Sequence, residues 1–243
     1  MSFPRQWLRG DTNCPWVRLD SFKIIKKLGR GRYGICYLAQ NFNGEFVVIK
    51  RLKMINFENI IENIQYEVIM LSRIRCNKIP KIIGIINEID FKGFVMEYIQ
   101  GDTLSKLIKD NEYKFTKKEI YSIIQQLIDI VIQLHEGGIV HRDIRTPNII
   151  IDKGEVYLID FGLSRWRDYN YDYNIDFSFI GKVLITLLGT RLSDEKKKLE
   201  LDWDNILDIT IEQKSFLKRM LSESDFYESI YIVNREFKRV FRC

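Results

Sequence analysis

Short runs in which apolar and polar residues alternate fill the first part of the chain, and a helical period takes over later. Between Ser21 and Lys53 the pattern predicts three strands, SFKIIKKLG, YGICYLAQ and FVVIKRLK. NFNGE separates the last two, and its Asn43-Gly44 pair is a hairpin signal. In residues 57 to 75, FENIIENIQYEVIMLSRIR, Ile60, Ile61, Ile64, Val68 and Leu71 share one face at helical spacing. Two more strands are predicted at about 82 to 88 and 93 to 99. The clearest helix is TKKEIYSIIQQLIDIVIQLHEGG. Thr116 and Glu119 form its capping box, Ile120, Ile123, Ile124, Leu127, Val131 and Leu134 its buried stripe, and Gly137-Gly138 its stop. IVHRDIRTPNIII follows, then a strand at EVYLID, a linker, an apolar helix near 176 to 189, and a helical remainder in which RLSDEKKKLELD reads as solvated surface. No internal repeat or low-complexity tract interrupts this plan of a strand-rich part followed by a mainly helical part.

Composition narrows the class. With 243 residues, 46% hydrophobic and 29% charged, the chain has room for one large domain or two small lobes, and disorder is excluded. No run approaches the roughly 20 apolar residues of a membrane span, and MSFPRQWLRGDTNCPW lacks the layout of a secretory signal. The expectation is a soluble, cytoplasmic protein. Cys14, Cys36, Cys76 and Cys243 are far apart, with only His135 and His141 as nitrogen ligands, so neither a zinc site nor a disulfide framework is signalled, and reduced thiols are expected. The net charge of +5 is uneven: residues 1 to 54 carry 11 Lys/Arg against 3 Asp/Glu. That excess attracts phosphates, nucleic acid or lipid headgroups without choosing among them, and a solvated basic face explains it equally well.

Three stretches carry chemistry. LGRGRYGIC places Gly29, Gly31 and Gly34 as G-x-G-x-x-G, a spacing that lets backbone amides approach a phosphate. Both flanks read as strands, so a hairpin over phosphates is expected rather than the strand-to-helix turn of dinucleotide sites; a plain glycine turn has the same pattern. VVIK ends a strand with Lys50, which needs a partner: Glu67 is preferred over Glu62 because Leu71, one turn on, then packs inward. A lone strand-end lysine would simply reach out to water. In the IVHRDIRTPNIII loop, Asp143 can take a proton from a hydroxyl, and Asn148 together with a second carboxylate can hold magnesium at phosphate oxygens. That carboxylate is Asp160 of LIDFGLS, returned to the loop by the hairpin IIIDKGEVYLI. Either aspartate alone is also a common turn or cap residue.

In this order the motifs resemble a eukaryotic-type protein kinase domain, from about Ser21 to Gly181: glycine loop, strand lysine, helix glutamate, HRD with an asparagine five beyond its aspartate, then DFG. The resemblance implies an α+β bilobal fold, with a five-stranded antiparallel N-lobe carrying one main helix and a mainly helical C-lobe. Residues 1-20 would form an extension, 21-243 the domain, 21-97 the N-lobe and 102-243 the C-lobe. ATP and Mg2+ are the implied cofactors. Lys50, paired with Glu67, would hold the α and β phosphates, Asp143 would be the catalytic base, and Asn148 and Asp160 would bind the metal. Arg145 stands where serine/threonine kinases usually carry a lysine touching the transferred phosphate. VMEYIQGD resembles the hinge, with Met96 beside the adenine pocket, backbone contacts from Glu97 and Ile99, and Asp102 near the ribose. Val48 and Ile150 would sandwich adenine, Cys36 occupies a position usually held by valine, and Leu71, His141 and Phe161 would form an apolar column.

The chain also departs from the family. Only thirteen residues, LSRWRDYNYDYNI, join Gly162 to Asp176, which resembles the aspartate opening the family's central C-lobe helix. At about 3.3 to 3.6 Å per residue such a link cannot build both a long activation loop and a peptide shelf, and the APE motif is absent. The linker offers Ser164, Tyr169, Tyr171 and Tyr173 but no threonine, so activity without phosphorylation is expected. The leading expectation is transfer of the γ-phosphate to a protein Ser or Thr hydroxyl by a monomer, with no specific nucleic acid partner and no membrane span. A small-molecule or RNA-associated kinase is the alternative, because families such as aminoglycoside and choline kinases also lack APE, although their loops more often lack the arginine of HRD. A non-catalytic scaffold would not need Lys50, Asp143, Asn148 and Asp160 together. Trp7, Cys14, Pro15 and Trp16 precede the domain; packing on the N-lobe is the expected use of these aromatics, with a docking surface for a partner as the alternative.

Overall fold

In the computed structural model, which describes residues 14–31, 34–53, 67–110, 113–170, 172–192, 202–222 and 225–242, the alternating runs of the N-terminal part are strands. They are β1 (Phe22–Arg30), β2 (Gly34–Asn41), β3 (Phe46–Leu52), β4 (Ile82–Asn87) and β5 (Lys92–Glu97), paired antiparallel in the order β1-β2-β3-β5-β4. The β2–β3 turn is closed by the Asn41 side-chain oxygen, which accepts from Asn43 N at 3.0 Å and Glu45 N at 2.9 Å. Because strand side chains alternate, Val47 and Ile49 point to one face, where they join Ala39, Ile86, Phe91 and Val95 in a buried core. Val48 and Lys50 therefore face the other way. The helix predicted over 57 to 75 is seen from Glu67 onward as α1 (residues 67–73), with Val68 and Leu71 buried; Ile60, Ile61, Ile64 and Glu62 lie outside the described residues.

The outer edge of β4 is covered by residues 15 to 17. Trp16 forms a parallel bridge with Ile85, Val17 N donates to Ile85 O at 2.9 Å, and Ile85 N donates to Pro15 O at 2.9 Å. Val17 packs against the core cluster, and Gly84 makes room for it: a Cβ there would lie 2.5 Å from Val17 Cγ1. Gly84→Ala is expected to cost about 1–3 kcal/mol of stability, read by chemical denaturation. The loss should shrink in a Val17→Ala background; an equal loss in both backgrounds would mean that this segment does not pack on the sheet.

The second compact unit, Gln100–Asp160 with Arg165–Cys243, is mainly helical, while Phe161–Ser164 group with the first unit, Met1–Ile99. After β6 (Asp102–Thr103) and α2 (Leu104–Lys109) comes α3 (Lys117–Glu136) with its capping box: Glu119 N donates to Thr116 Oγ1 at 3.2 Å, and Thr116 N donates to Glu119 Oε2 at 2.7 Å. The predicted stripe from Ile120 to Leu134 is buried. Then follow β7 (Ile139–Val140), β8 (Ile149–Asp152), β9 (Glu155–Leu158), β10 (Arg165–Trp166), α4 (Asn174–Gly189), α5 (Trp203–Ile206), α6 (Ile211–Leu221) and α7 (Ile230–Phe241). Helix α3 packs on α4 and α7, and α4 on α6. Aromatic rings close the lower core, where Tyr121 and Phe241 each stack on Phe237. The run RLSDEKKKLELD falls largely outside the described residues.

Candidate active site

In the first unit the glycine hairpin joins β1 to β2; Arg32 and Tyr33 lie outside the described residues. Gly31 N donates to Gly34 O at 2.9 Å, and Lys53 Nζ donates to Gly31 O at 2.6 Å. The three glycines differ. A Cβ on Gly34 would sit 2.5 Å from Arg51 O, so sheet packing demands glycine there, whereas Gly29 and Gly31 have no other heavy atom within 4 Å of the added carbon. Packing leaves those two bare stretches of backbone open for a ligand to approach.

Strand register assembles the neighbouring surface. Val48 lies between Leu38 and Met96, and Lys50 between Cys36 and Phe94, so these six side chains share a face. Val48 and Met96 are buried, as is Ile99 further on, while Glu97 is exposed. Lys50 is only 5% exposed, with Nζ 2.7 and 2.8 Å from the two Glu67 oxygens and 5.9 Å from the Phe94 ring. Glu67 is the partner that helical register favoured over Glu62. A buried pair of this kind adds little net stability, but it fixes where the ammonium sits, and deleting one member is costly.

In the second unit β7 pairs antiparallel with β10, and the chain then enters the loop from His141 to Asn148. Arg142 adopts φ +67° and Asp160 φ +64°, left-handed conformations uncommon for residues other than glycine. For Arg142 the restraint is Asp176, in the first turn of α4. Fully buried, its carboxylate accepts Arg142 N at 2.8 Å, His141 N at 2.9 Å and His135 Nε2 at 3.0 Å. The sequence marked Asp176 as the start of a helix, but not this grip on the loop.

The loop is also tied from within. His141 Nδ1 accepts Asp143 N at 3.2 Å, and burial of the ring pushes its pKa below the usual histidine value despite the nearby carboxylates of Asp176, Asp160 and Asp143. A neutral ring with its proton on the other nitrogen fits that hydrogen bond. Asn148 Nδ2 donates to Asp143 Oδ2 at 2.7 Å and to Asp143 O at 3.0 Å. Asn148 O accepts Ile159 N at 2.9 Å, which brings the residue before Asp160 back to the loop through the β8–β9 hairpin. Ile150 is buried, and β6 pairs Asp102 with Ile151. Arg145 is mostly exposed, with Nε 3.8 Å from Asp143 Oδ1, and Asp102 accepts from Lys106 Nζ at 2.6 Å.

A lysine is fixed by a helix glutamate in the first unit, and an aspartate by an asparagine five residues on in the second. The family model described as Protein kinase domain covers residues 22–191. The chain belongs to the protein kinase family. This kinase is 31% identical over 230 residues to the probable serine/threonine-protein kinase YbdM of Bacillus subtilis, covering 90% of this chain and 88% of that one. It is 34% identical over 150 residues to cyclin-dependent kinase F-4 of Oryza sativa, where it spans 32% of the relative's length. Over 152 residues it is 32% identical to MAP3K epsilon protein kinase 1 of Brassica napus, of which it spans 12%. Membership makes it an ATP-dependent phosphotransferase of the protein-kinase class.

Proposed function

We propose that this kinase transfers the γ-phosphate of ATP to a serine or threonine hydroxyl of a protein. Lys50, held by Glu67, neutralises the α and β phosphates beneath the glycine hairpin. Val48, Met96 and Ile99 supply apolar contacts to adenine, with Cys36 and Glu97 at its margin. The acceptor oxygen bonds to the γ-phosphorus as the bond to the β–γ bridging oxygen breaks, ADP departs, and Asp143 takes the hydroxyl proton. Arg145, extended and close to Asp143, is suited to meet the transferred phosphoryl group. Asn148 and Asp160 offer hard oxygen donors, the kind magnesium takes, and the phosphate oxygens complete the set; when bound, the metal neutralises charge on those oxygens. Among the described residues there is no cluster of three or more His, Cys, Asp and Glu that could hold a metal ion by itself.

The observation that carries this reading is the Asp143–Asn148 clamp, with the Asp160 hairpin bonded to its base. The free thiols of Cys14 and Cys76 suit a reducing, cytoplasmic setting, and no helix among the described residues is long and apolar enough to cross a membrane. One observation favours a small acceptor instead: Arg167 N in the linker donates to Gly138 O at 2.8 Å, and Tyr173 Oη donates to His135 O at 2.8 Å, which consumes linker that could present a peptide. The test is γ-labelled ATP with magnesium, offered with a mixed protein acceptor and, separately, with sugars and amino alcohols. Label on protein Ser or Thr, undiminished by prior phosphatase treatment, supports the proposal. Label confined to the small acceptors selects the alternative, and no transfer at all rejects both.

A further inference from the structure

The short linker ends on an aromatic contact that the reaction scheme leaves unused. Tyr173 initiates α4: its carbonyl accepts Asp176 N at 3.0 Å, and its own N donates to Asp172 Oδ1 at 2.7 Å. Its ring stacks on His135, centroids 4.0 Å apart at 21°, and its hydroxyl is bonded to the His135 carbonyl. The Arg167 guanidinium lies 5.0 Å from the centroid of the same ring, and its Nε donates to Asp172 Oδ1 at 3.2 Å. His135 in turn contacts the Asp176 carboxylate, whose other bonds hold His141 N and Arg142 N immediately before Asp143. A ring stack and an exposed cation–π contact contribute about 0.5–1.5 and 0.5–1 kcal/mol, enough to bias a loop whose Arg142 is held at φ +67°.

We propose that Tyr173, steadied by Arg167, is a positioning residue for Asp143: docked on His135, it sets the Asp176 carboxylate and so the left-handed turn that aims the base. The linker thereby does from within the chain what an added phosphate on an activation loop would otherwise do, so the arrangement is self-sufficient. This rests on the reading of Asp143 as the base.

Two readouts separate the two ideas. In the unliganded protein, the Arg142 and His141 amide protons, bonded to a carboxylate, should resonate downfield and move upfield in Tyr173→Ala. In transfer assays, Tyr173→Ala should lower kcat about tenfold or more, while KM for ATP changes less than about twofold, and Tyr173→Phe, which keeps the stack, should stay within about threefold of wild type. Arg167→Ala, at an exposed side chain that should not affect folding, should lower kcat about threefold, and it decides the matter if Tyr173→Ala does not fold. Unmoved amides in Tyr173→Ala, or unchanged kcat in both alanine variants, would overturn the proposal. If the wild-type chain transfers nothing, the assignment of Asp143 fails, yet the amide shifts still report whether Tyr173 sets the loop.

Discussion

Lys50→Met is expected to cut phosphoryl transfer by about two to three orders of magnitude, the usual loss when a charge placed for the transition state is removed. It should also cost about 3–5 kcal/mol of stability, because Glu67, 2% exposed, loses its ammonium. The double variant Lys50→Met/Glu67→Gln removes that buried charge, so it should recover part of the stability in chemical denaturation and none of the activity. Separating the two effects matters: if the double variant regained transfer, Lys50 would serve the fold rather than the phosphates.

Asp176→Asn is the second large effect. One carboxylate oxygen accepts both His141 N and His135 Nε2 and the other accepts Arg142 N, so an amide group in place of either oxygen turns a donor toward a donor in a fully buried site. The cost is about 1–3 kcal/mol, and the turn at Arg142 loses part of its hold. Misplacing a catalytic group by even about 1 Å is worth about a hundredfold in rate, so kcat should fall by roughly that factor with KM for ATP little changed. Steady-state kinetics read this directly. A kcat within a few-fold of wild type would mean that another contact keeps the loop in place.

The fold was legible where its cause is local. The β2–β3 hairpin follows from Asn43-Gly44 between β-rich runs, and α3 from a capping box ahead of a stripe that the core buries. The choice of Glu67 over Glu62 was legible too, because Leu71, one turn beyond Glu67, packs inward. Of the candidate site, the residue identities could be read from an ordered set of motifs, but not what holds them. The left-handed turn at Arg142 depends on a contact made far along the chain, with Asp176 34 residues away. The pairing of Arg165–Trp166 with Ile139–Val140 spans two residues on each side, too short to leave a periodic trace. The cover that residues 15 to 17 give β4 was expected only as packing of aromatics; the structure makes it a backbone bridge, with Trp16 itself 44% exposed.

Asp160→Asn puts the proposed transfer chemistry to the most direct test. Asparagine tolerates φ +64° well, and Asp160 is exposed, so the backbone and the fold should survive the change. Under saturating ATP and magnesium, the initial rate of γ-phosphoryl transfer should fall by about a hundredfold or more, with an unchanged denaturation midpoint. A rate within about threefold of wild type would contradict the assignment of Asp160, and with it the proposed transfer chemistry.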